Sequence, residues 1–535
     1  MNGGLLMDRR RFLGGLALAG VTAACAKDED GAPLSTGGEA SPVVAADPSG
    51  DELAETIFSL GVASGDPLDD RVMLWTRLAA DPLAPDGASP AGEVEVAFDV
   101  ANDESFDDLV ASGLALATPA LGHSVHVDVS GLRPDSWYFY RFRAGGRTSA
   151  VGRTRTFPTS SASPRSLRFV FASCQDYQWG HYGAWAHVAR EPDLDAVVFL
   201  GDYIYELNLG DLSPTRTGAR VWAGPPPEDL EGYRRRYAQT KSDLQLQAAH
   251  EVAPWIVTWD DHEVSNNYAG DVGQADIDVP ASRDRRLAAY QAWYEHTPVR
   301  IDPEPADFEK LDIHREFTFG DLATFWVIET RQHADAPACR SSGSLVADEG
   351  PVCDALGDPT RSNLGEAQER WLVEGLAGST TTWNVLANPI MLAGLNLGTP
   401  DEPQITRDAW VGYPETRSRV LAAIQDSEVS NPVVVTGDWH ASFVLDVTDE
   451  PGGPTVMPEF LVSSISTVLF PTDYREHNSH VRYFVAEHGY AVVSVTPEDL
   501  RCDFRYVADV WDPDTEIART DSWAIEAGAR EPAPV

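Results

Sequence analysis

Lysine is almost missing from this 535-residue chain: Lys27, Lys241 and Lys310 are the only three among 40 Lys and Arg, so nearly all its positive charge is arginine. Cations are outnumbered by 83 Asp and Glu, and the formal net charge is −43. A field of that sign repels a nucleic-acid backbone and an anionic membrane surface, and no nucleic-acid-binding surface is expected. A membrane-spanning run is missing too. The apolar stretch from Gly14 to Ala24 is too short to cross a bilayer. No internal repeat is visible. What is present is 43% hydrophobic and 23% charged, the composition of a globular protein with a large core. At roughly 100–200 residues per domain the length suggests two to four domains.

The N-terminus reads as an address. Asp8-Arg9-Arg10-Arg11-Phe12-Leu13 precedes the short apolar stretch, and small residues follow, which is the layout of a signal peptide over residues 1–25. Paired arginines before Phe-Leu resemble a twin-arginine signal, which implies use of the twin-arginine export machinery. The initiator could be Met7, which brings the arginines close to the start. Cleavage after Ala23-Ala24 would leave Cys25 first, as in a lipid-anchored lipoprotein, although Thr22 stands where an apolar residue is usual. The location expected is therefore secreted, periplasmic or cell-surface anchored. Export permits disulfides. Cys339 and Cys353, 14 positions apart in a loop rich in Ser, Gly, Asp and Pro, are the expected pair. Cys174 and Cys502 are left over and call for another explanation.

Residues 26–52 are rich in Gly, Ser, Ala, Pro and acid without a period, and read as a flexible linker. Over residues 53–160 the pattern is short strands and turns. Glu93-Val-Glu-Val-Ala-Phe-Asp-Val and His123-Ser-Val-His-Val-Asp-Val alternate, and Trp137-Tyr-Phe-Tyr-Arg-Phe-Arg is an aromatic strand. This predicts a small β-sandwich, and Leu132-Arg-Pro-Asp-Ser-Trp-Tyr resembles the Leu-x-Pro turn of fibronectin type III domains. From about residue 165 to 520 apolar strands alternate with helical stretches: 167–172, 196–200, 255–259, 322–328, 383–387 and 432–435. That predicts an α/β domain.

The chemistry sits just after those strands. The blocks are Ser173-Cys174-Gln175-Asp176, Gly201-Asp202-Tyr203-Ile204-Tyr205-Glu206, Asp260-Asp261-His262-Glu263 with Asn266-Asn267, Glu329-Thr330-Arg331, Asn388, and Gly437-Asp438-Trp439-His440. Ligands of open α/β sheets bind at the carboxyl ends of strands. So many acids in one place repel each other unless cations neutralise them, which predicts a site for two or more metal ions. Single residues also have plainer readings. Cys174 alone suits a buried core thiol, His262 a capping or core histidine, and Arg331 a solvated loop. Glu263 suits a supporting partner better than a ligand.

Taken together, the blocks resemble the calcineurin-like metallophosphoesterases, with Gly201-Asp202, Asp261-His262-Glu263 and Gly437-Asp438-Trp439-His440 in the family's order. Ala-Ser-Cys-Gln, Gly-Asp-x-x-Tyr, Trp-Asp-Asp-His-Glu-x-x-x-Asn and Gly-Asp-x-His resemble the PhoD-type alkaline phosphatases and phosphodiesterases in particular. The resemblance implies an α/β metallophosphoesterase sandwich, two β-sheets flanked by helices, behind the N-terminal β-domain. It implies one Fe³⁺ with Ca²⁺ ions. Cys174, Asp202, Tyr205 and Asp438 are then expected on iron. Asp202 would bridge to calcium, where Asp261, Asn266 or Asn267, and His440 complete the sites; Asn388 is a weaker candidate. His262 is expected to orient phosphate or protonate the leaving group, and Arg331 to hold phosphate oxygens.

The activity implied is alkaline hydrolysis of phosphate monoesters and diesters by a metal-bound hydroxide. One alternative is a phosphodiesterase or phospholipase D-like enzyme acting on phospholipid, teichoic-acid or nucleotide diesters. The other is a cell-surface binding lipoprotein on a retired phosphoesterase fold.

Overall fold

The computed structural model describes residues 52–208, 220–272, 282–301, 308–339 and 349–535. The expected signal, Cys25, and the linker up to its last residue lie outside the described residues. None of the described helices is long and apolar enough to cross a membrane.

Two large sheets face each other, with helices on both outer sides. The first holds the parallel strands Leu167–Gln175, Ala196–Phe199 and Trp255–Val257, and the antiparallel run Gly489–Val495, Asp499–Val507, Ile517–Glu526. The second holds the parallel strands Ala323–Val327, Trp383–Asn388, Pro432–Thr436 and Thr455–Leu461, flanked by antiparallel ones. These are Val-, Ile- and aromatic-rich runs, as strands buried on both faces require. Alternation then sorts their side chains. Phe169, Phe171, Val198 and Ile256 point inward to meet Phe325, Val385, Val433 and Val435 from the opposite sheet. Val170, Val197 and Val257 point outward beneath the helices Leu230–Lys241, Leu244–Val252 and Arg283–His296. Trp326, Leu386 and Val434 do the same beneath Glu366–Gly378 and Pro414–Asp426. Asp229, Asp243 and Ser282 cap the first three helices by accepting from backbone N–H groups of the first turn.

All six strands expected after residue 165 are present. The expected end at 520 falls inside the strand Ile517–Glu526, which pairs along its length with Asp499–Val507, so the sheet continues past it. The N-terminal region forms two layers over its own core of Val72, Leu74, Val96, Val100, Tyr138 and Phe142. One layer, with Val94–Ala101, Leu109–Ala117 and Trp137–Ala144, is a separate sheet. The other, Val62–Gly65, Arg71–Arg77 and Ser124–Ser130, extends the first large sheet, because Gly65 pairs in parallel with Trp255. Cys339 and Cys353 are disulfide-bonded, while Cys174 and Cys502 are free and buried.

Candidate active site

Register brings the strand ends level: Phe199 sits opposite both Ala172 and Val257, and Asn388 opposite Thr436. The loops that follow therefore leave the two sheets side by side. Their backbones turn sharply. Cys174, Asp202, Asn267, Asp438 and His440 have φ between 50° and 68°. Each such non-glycine residue costs about 1–3 kcal/mol, and such residues persist where surrounding contacts over-determine them.

The buried Glu263 carboxylate accepts from three backbone N–H groups: Asp202 at 3.0 Å, Tyr203 at 2.7 Å and Asp260 at 2.9 Å. It pins the second and third loops together. Gly201 permits the approach; a Cβ there would lie 2.5 Å from Asp260 Cβ. Gly437 does the same for the last loop, where a Cβ would lie 2.5 Å from Ser173 Oγ. Ser464–Ser466 pairs with Ser173 and Gln175, and holds the Cys174 loop from its other side.

Three groups of candidate ligand atoms result, each with its atoms within 4.8 Å of one another: Cys174, Asp202 and His440; Asp202, Asp261 and His262; Asp260, Asp261 and Asp438. Tyr205 joins the first, with its hydroxyl donating to Asp202 Oδ2 at 2.9 Å and lying 3.2 Å from His440 Nε2. Two expectations are corrected here. His440, assigned to the calcium side, stands with Cys174, Asp202 and Tyr205. Asp438, assigned to iron, stands with Asp260 and Asp261. The two residues leave the same strand end in successive left-handed turns, which send their side chains to different groups.

The electrostatics fit cations. Burial drives Asp202 and Asp260 well above the usual carboxylate range, and pushes Asp438 up to about 8, with Asp408 adding to the last. Burial, then the Asp202 charge, raises the Cys174 thiol; burial, then Asp202 and Cys174, raises the Tyr205 phenol. Burial works against a charged His262, but Asp261, Glu206 and Asp202 outweigh it and raise its pKa. Asp260 Oδ2 and Asp261 Oδ1 are buried without a hydrogen-bond partner among the described residues. A thiol and a phenol on one side suit a trivalent transition ion, and carboxylates and amides on the other suit a hard divalent one. The residues present therefore fit the metals that the resemblance implies.

Arg331 is the third correction. It is 2% exposed, and its Nε donates to Asp260 at 2.5 Å while Nη1 and Nη2 grip Asp408 at 2.6 and 3.1 Å. It does not line the cavity, so it is engaged by carboxylates and not turned toward a phosphate. Asn388 likewise serves the fold, accepting from Trp410 Nε1 at 3.0 Å.

The cavity over these groups holds about 270 Å³. Asp202, Asp261, His262, Asn266, Asp438 and His440 form its floor.

The site can be set beside known proteins. The family model of the PhoD-like phosphatases matches residues 169–504, and that of their N-terminal domain matches residues 44–158. The chain belongs to the PhoD-like phosphatase family. Alkaline phosphatase D of Bacillus subtilis (strain 168) is 42% identical over 479 residues, covering 88% of this chain and 81% of the relative. A solved structure of PhoD superposes with a TM-score of 0.83 at 39% identity, covering 90% of this chain and 94% of that one. A purple acid phosphatase from yellow lupin (Lupinus luteus) seeds superposes with a TM-score of 0.53 at 11% identity, covering 87% and 74%, and shares the fold.

In this PhoD-like phosphatase several site residues escaped the reading of the sequence. Glu206 Oε2 holds His262 Nδ1 at 2.7 Å, and Oε1 accepts from Asn266 N at 2.7 Å. Its signal was its place in the Gly201–Glu206 block. Asp260 was quoted as part of a motif but not assigned. Asp408 had no signal, since no apolar strand of the expected kind precedes it. Trp439, Phe470, Tyr474 and Glu349 line the cavity's outer part.

Proposed function

We propose that this phosphoric ester hydrolase is an exported, metal-dependent alkaline phosphatase that cleaves monoesters and diesters. The observation that carries the metal dependence is the meeting of Cys174, Asp202, Tyr205, Asp260, Asp261, His262, Asp438 and His440 in adjoining groups, of which Asp202, Asp261, His262, Asp438 and His440 line the cavity. Fe³⁺ suits the side of Cys174, Tyr205 and His440, and Ca²⁺ the side of Asp260, Asp261, Asp438 and Asn266. Asp202, which stands with Cys174 and His440 and also with Asp261 and His262, would be shared between the two sides. Bound there, the ions supply Lewis-acid polarisation of the phosphoryl oxygens and a lowered pKa for water.

The protein's own groups do the positioning. His262 is fixed through Nδ1 by Glu206, which leaves Nε2 to hold a phosphate oxygen or hand a proton to the departing alkoxide. Arg331 is a positioning residue that keeps Asp260 and Asp408 in place. The attacking oxygen comes from water, so no phosphoenzyme forms. The Arg9-Arg10-Arg11-Phe12-Leu13 run supports export by the twin-arginine machinery to the cell surface or beyond, and Cys25 supports a lipid anchor there.

The test is hydrolysis of p-nitrophenyl phosphate and bis-p-nitrophenyl phosphate at alkaline pH, each with Ca²⁺ and with EGTA. Calcium-dependent cleavage of both is expected. Full activity after exhaustive chelation overturns the metal assignment, and cleavage of the monoester alone removes the diester.

A further inference from the structure

The outer half of the cavity is built unlike its floor. Carboxylates, an amide and imidazoles make the floor, whereas Trp439, Phe470 and Tyr474 line the outer part. The Trp439 and Tyr474 rings stand 6.4 Å apart, centroid to centroid, with planes at 79°, which forms a corner. Phe470 lies flat on the His440 ring at 4.9 Å and is still 44% exposed. Glu349 enters the same space from the strand Glu349–Pro351, which pairs with Gln404–Thr406. Glu349 and Tyr474 line the same cavity, and the Glu349 charge acts with burial to raise the Tyr474 phenol. Among the described residues no cation pairs with Glu349 and no Lys or Arg lines the cavity.

Packing accounts for part of this: Phe470 covers His440. Trp439 and Tyr474 also pack against the buried cluster around Phe443 and Leu445, but packing does not account for the carboxylate set beside their corner in the same cavity. Aromatic faces carry negative potential and attract a cation held within about 6 Å, most strongly one without N–H groups that would otherwise keep their water. A carboxylate at the rim adds the counter-charge. An anionic substituent would be repelled by the same wall.

We propose that this outer half is a subsite for a cationic substituent, so that the enzyme prefers phosphate esters whose alcohol carries a quaternary ammonium group. The inference rests on the phosphoesterase reading above and adds the chemistry of the group attached to phosphorus. Trp439, Phe470 and Tyr474 receive the ammonium face-on, and Glu349 balances its charge.

Two non-hydrolysable phosphonates separate charge from shape: 2-(trimethylammonio)ethylphosphonate and its uncharged isostere 3,3-dimethylbutylphosphonate. Calorimetric titration of the metal-loaded full chain should show the cation binding about tenfold more tightly. Glu349→Gln and Phe470→Ala should each reduce that ratio to about threefold or less, and Phe470→Tyr should keep it. Equal affinities, or binding of neither, overturn the subsite. A Glu349→Gln variant that weakens both ligands equally also overturns it, by showing a merely structural role. Hydrolysis of p-nitrophenyl phosphate by the same preparation reports on the phosphatase reading separately. Active protein with equal phosphonate affinities refutes the subsite alone.

Discussion

Replacing one oxygen of Glu263 with an NH₂ group should cost the fold about 2–3 kcal/mol. The carboxylate is 1% exposed and accepts three backbone N–H groups, two on Oε2 and one on Oε1. In Glu263→Gln the amide oxygen can keep the Asp202 and Asp260 donors. The NH₂ group then faces the Tyr203 N–H, donor against donor. One hydrogen bond to a charged acceptor is lost, worth about 1.5–3 kcal/mol, and a buried N–H is left without a partner. Glu263→Ala releases all three donors and should cost about twice as much. Both variants also free the loops that carry Asp202, Asp260 and Asp261, so metal affinity should fall about 10–100-fold, as when a ligand's supporting partner is removed. Urea denaturation of metal-free protein reads the first effect, and metal content after dialysis against a graded chelator reads the second. A Glu263→Gln variant within about 0.5 kcal/mol of the parent, with unchanged metal content, would falsify this account of how the site is held.

Lys241 gives a pH prediction. It is buried over the Trp75 ring and 3.4 Å from His250 Nε2, and burial pushes its pKa down to about 7. Between pH 7 and the unfolded value of 10.5 the unfolded chain holds a proton that the native chain has released, so stability should rise with pH by up to about 1.4 kcal/mol per unit. The difference between parent and Lys241→Met should show that slope, and parallel pH curves for the two would refute it. Cys339→Ser opens a bridge with a sequence separation of 14. It should cost about 3 kcal/mol in the chain-entropy account, and unchanged thermal stability under reduction would show that the bridge constrains nothing. With iron bound, Tyr205 should give a visible charge-transfer band, and a Tyr205→Phe variant that keeps the colour removes the phenolate from the metal.

What could be read in the sequence was whatever depends on neighbours along the chain. Each parallel strand is a short Val- or aromatic-rich run, so the α/β order and the acids that follow each strand were visible. Cys174, Asp202, Asp261 and Asp438 stand immediately after such runs, and their places at the site follow from that. Partners distant in the chain were not visible. Glu206 meets His262 across 56 positions and Asp408 meets Arg331 across 77, and neither pairing leaves a local pattern. Alternation foretold the N-terminal sandwich. The single register contact of Gly65 with Trp255, which makes one of its layers an extension of the large sheet, had no local signature.

The exchange of Asp438 and His440 between groups has another cause. Two residues apart on an extended strand they would share a face, but both adopt left-handed backbone, at φ 68° and 52°, and diverge. Side-chain direction at a strained turn is set by tertiary contacts such as the Gly437–Ser173 approach, and not by spacing. The same holds for Arg331. Its position after a strand suggested a phosphate ligand, yet a buried guanidinium among Asp260, Asp261 and Asp408 is more stable fully paired than left open to a transient anion. Charge at this site is balanced from below by arginine, which leaves the cavity face free for cations. A phosphate arriving there would then meet bound metal and His262, with Arg331 behind the carboxylates that hold them.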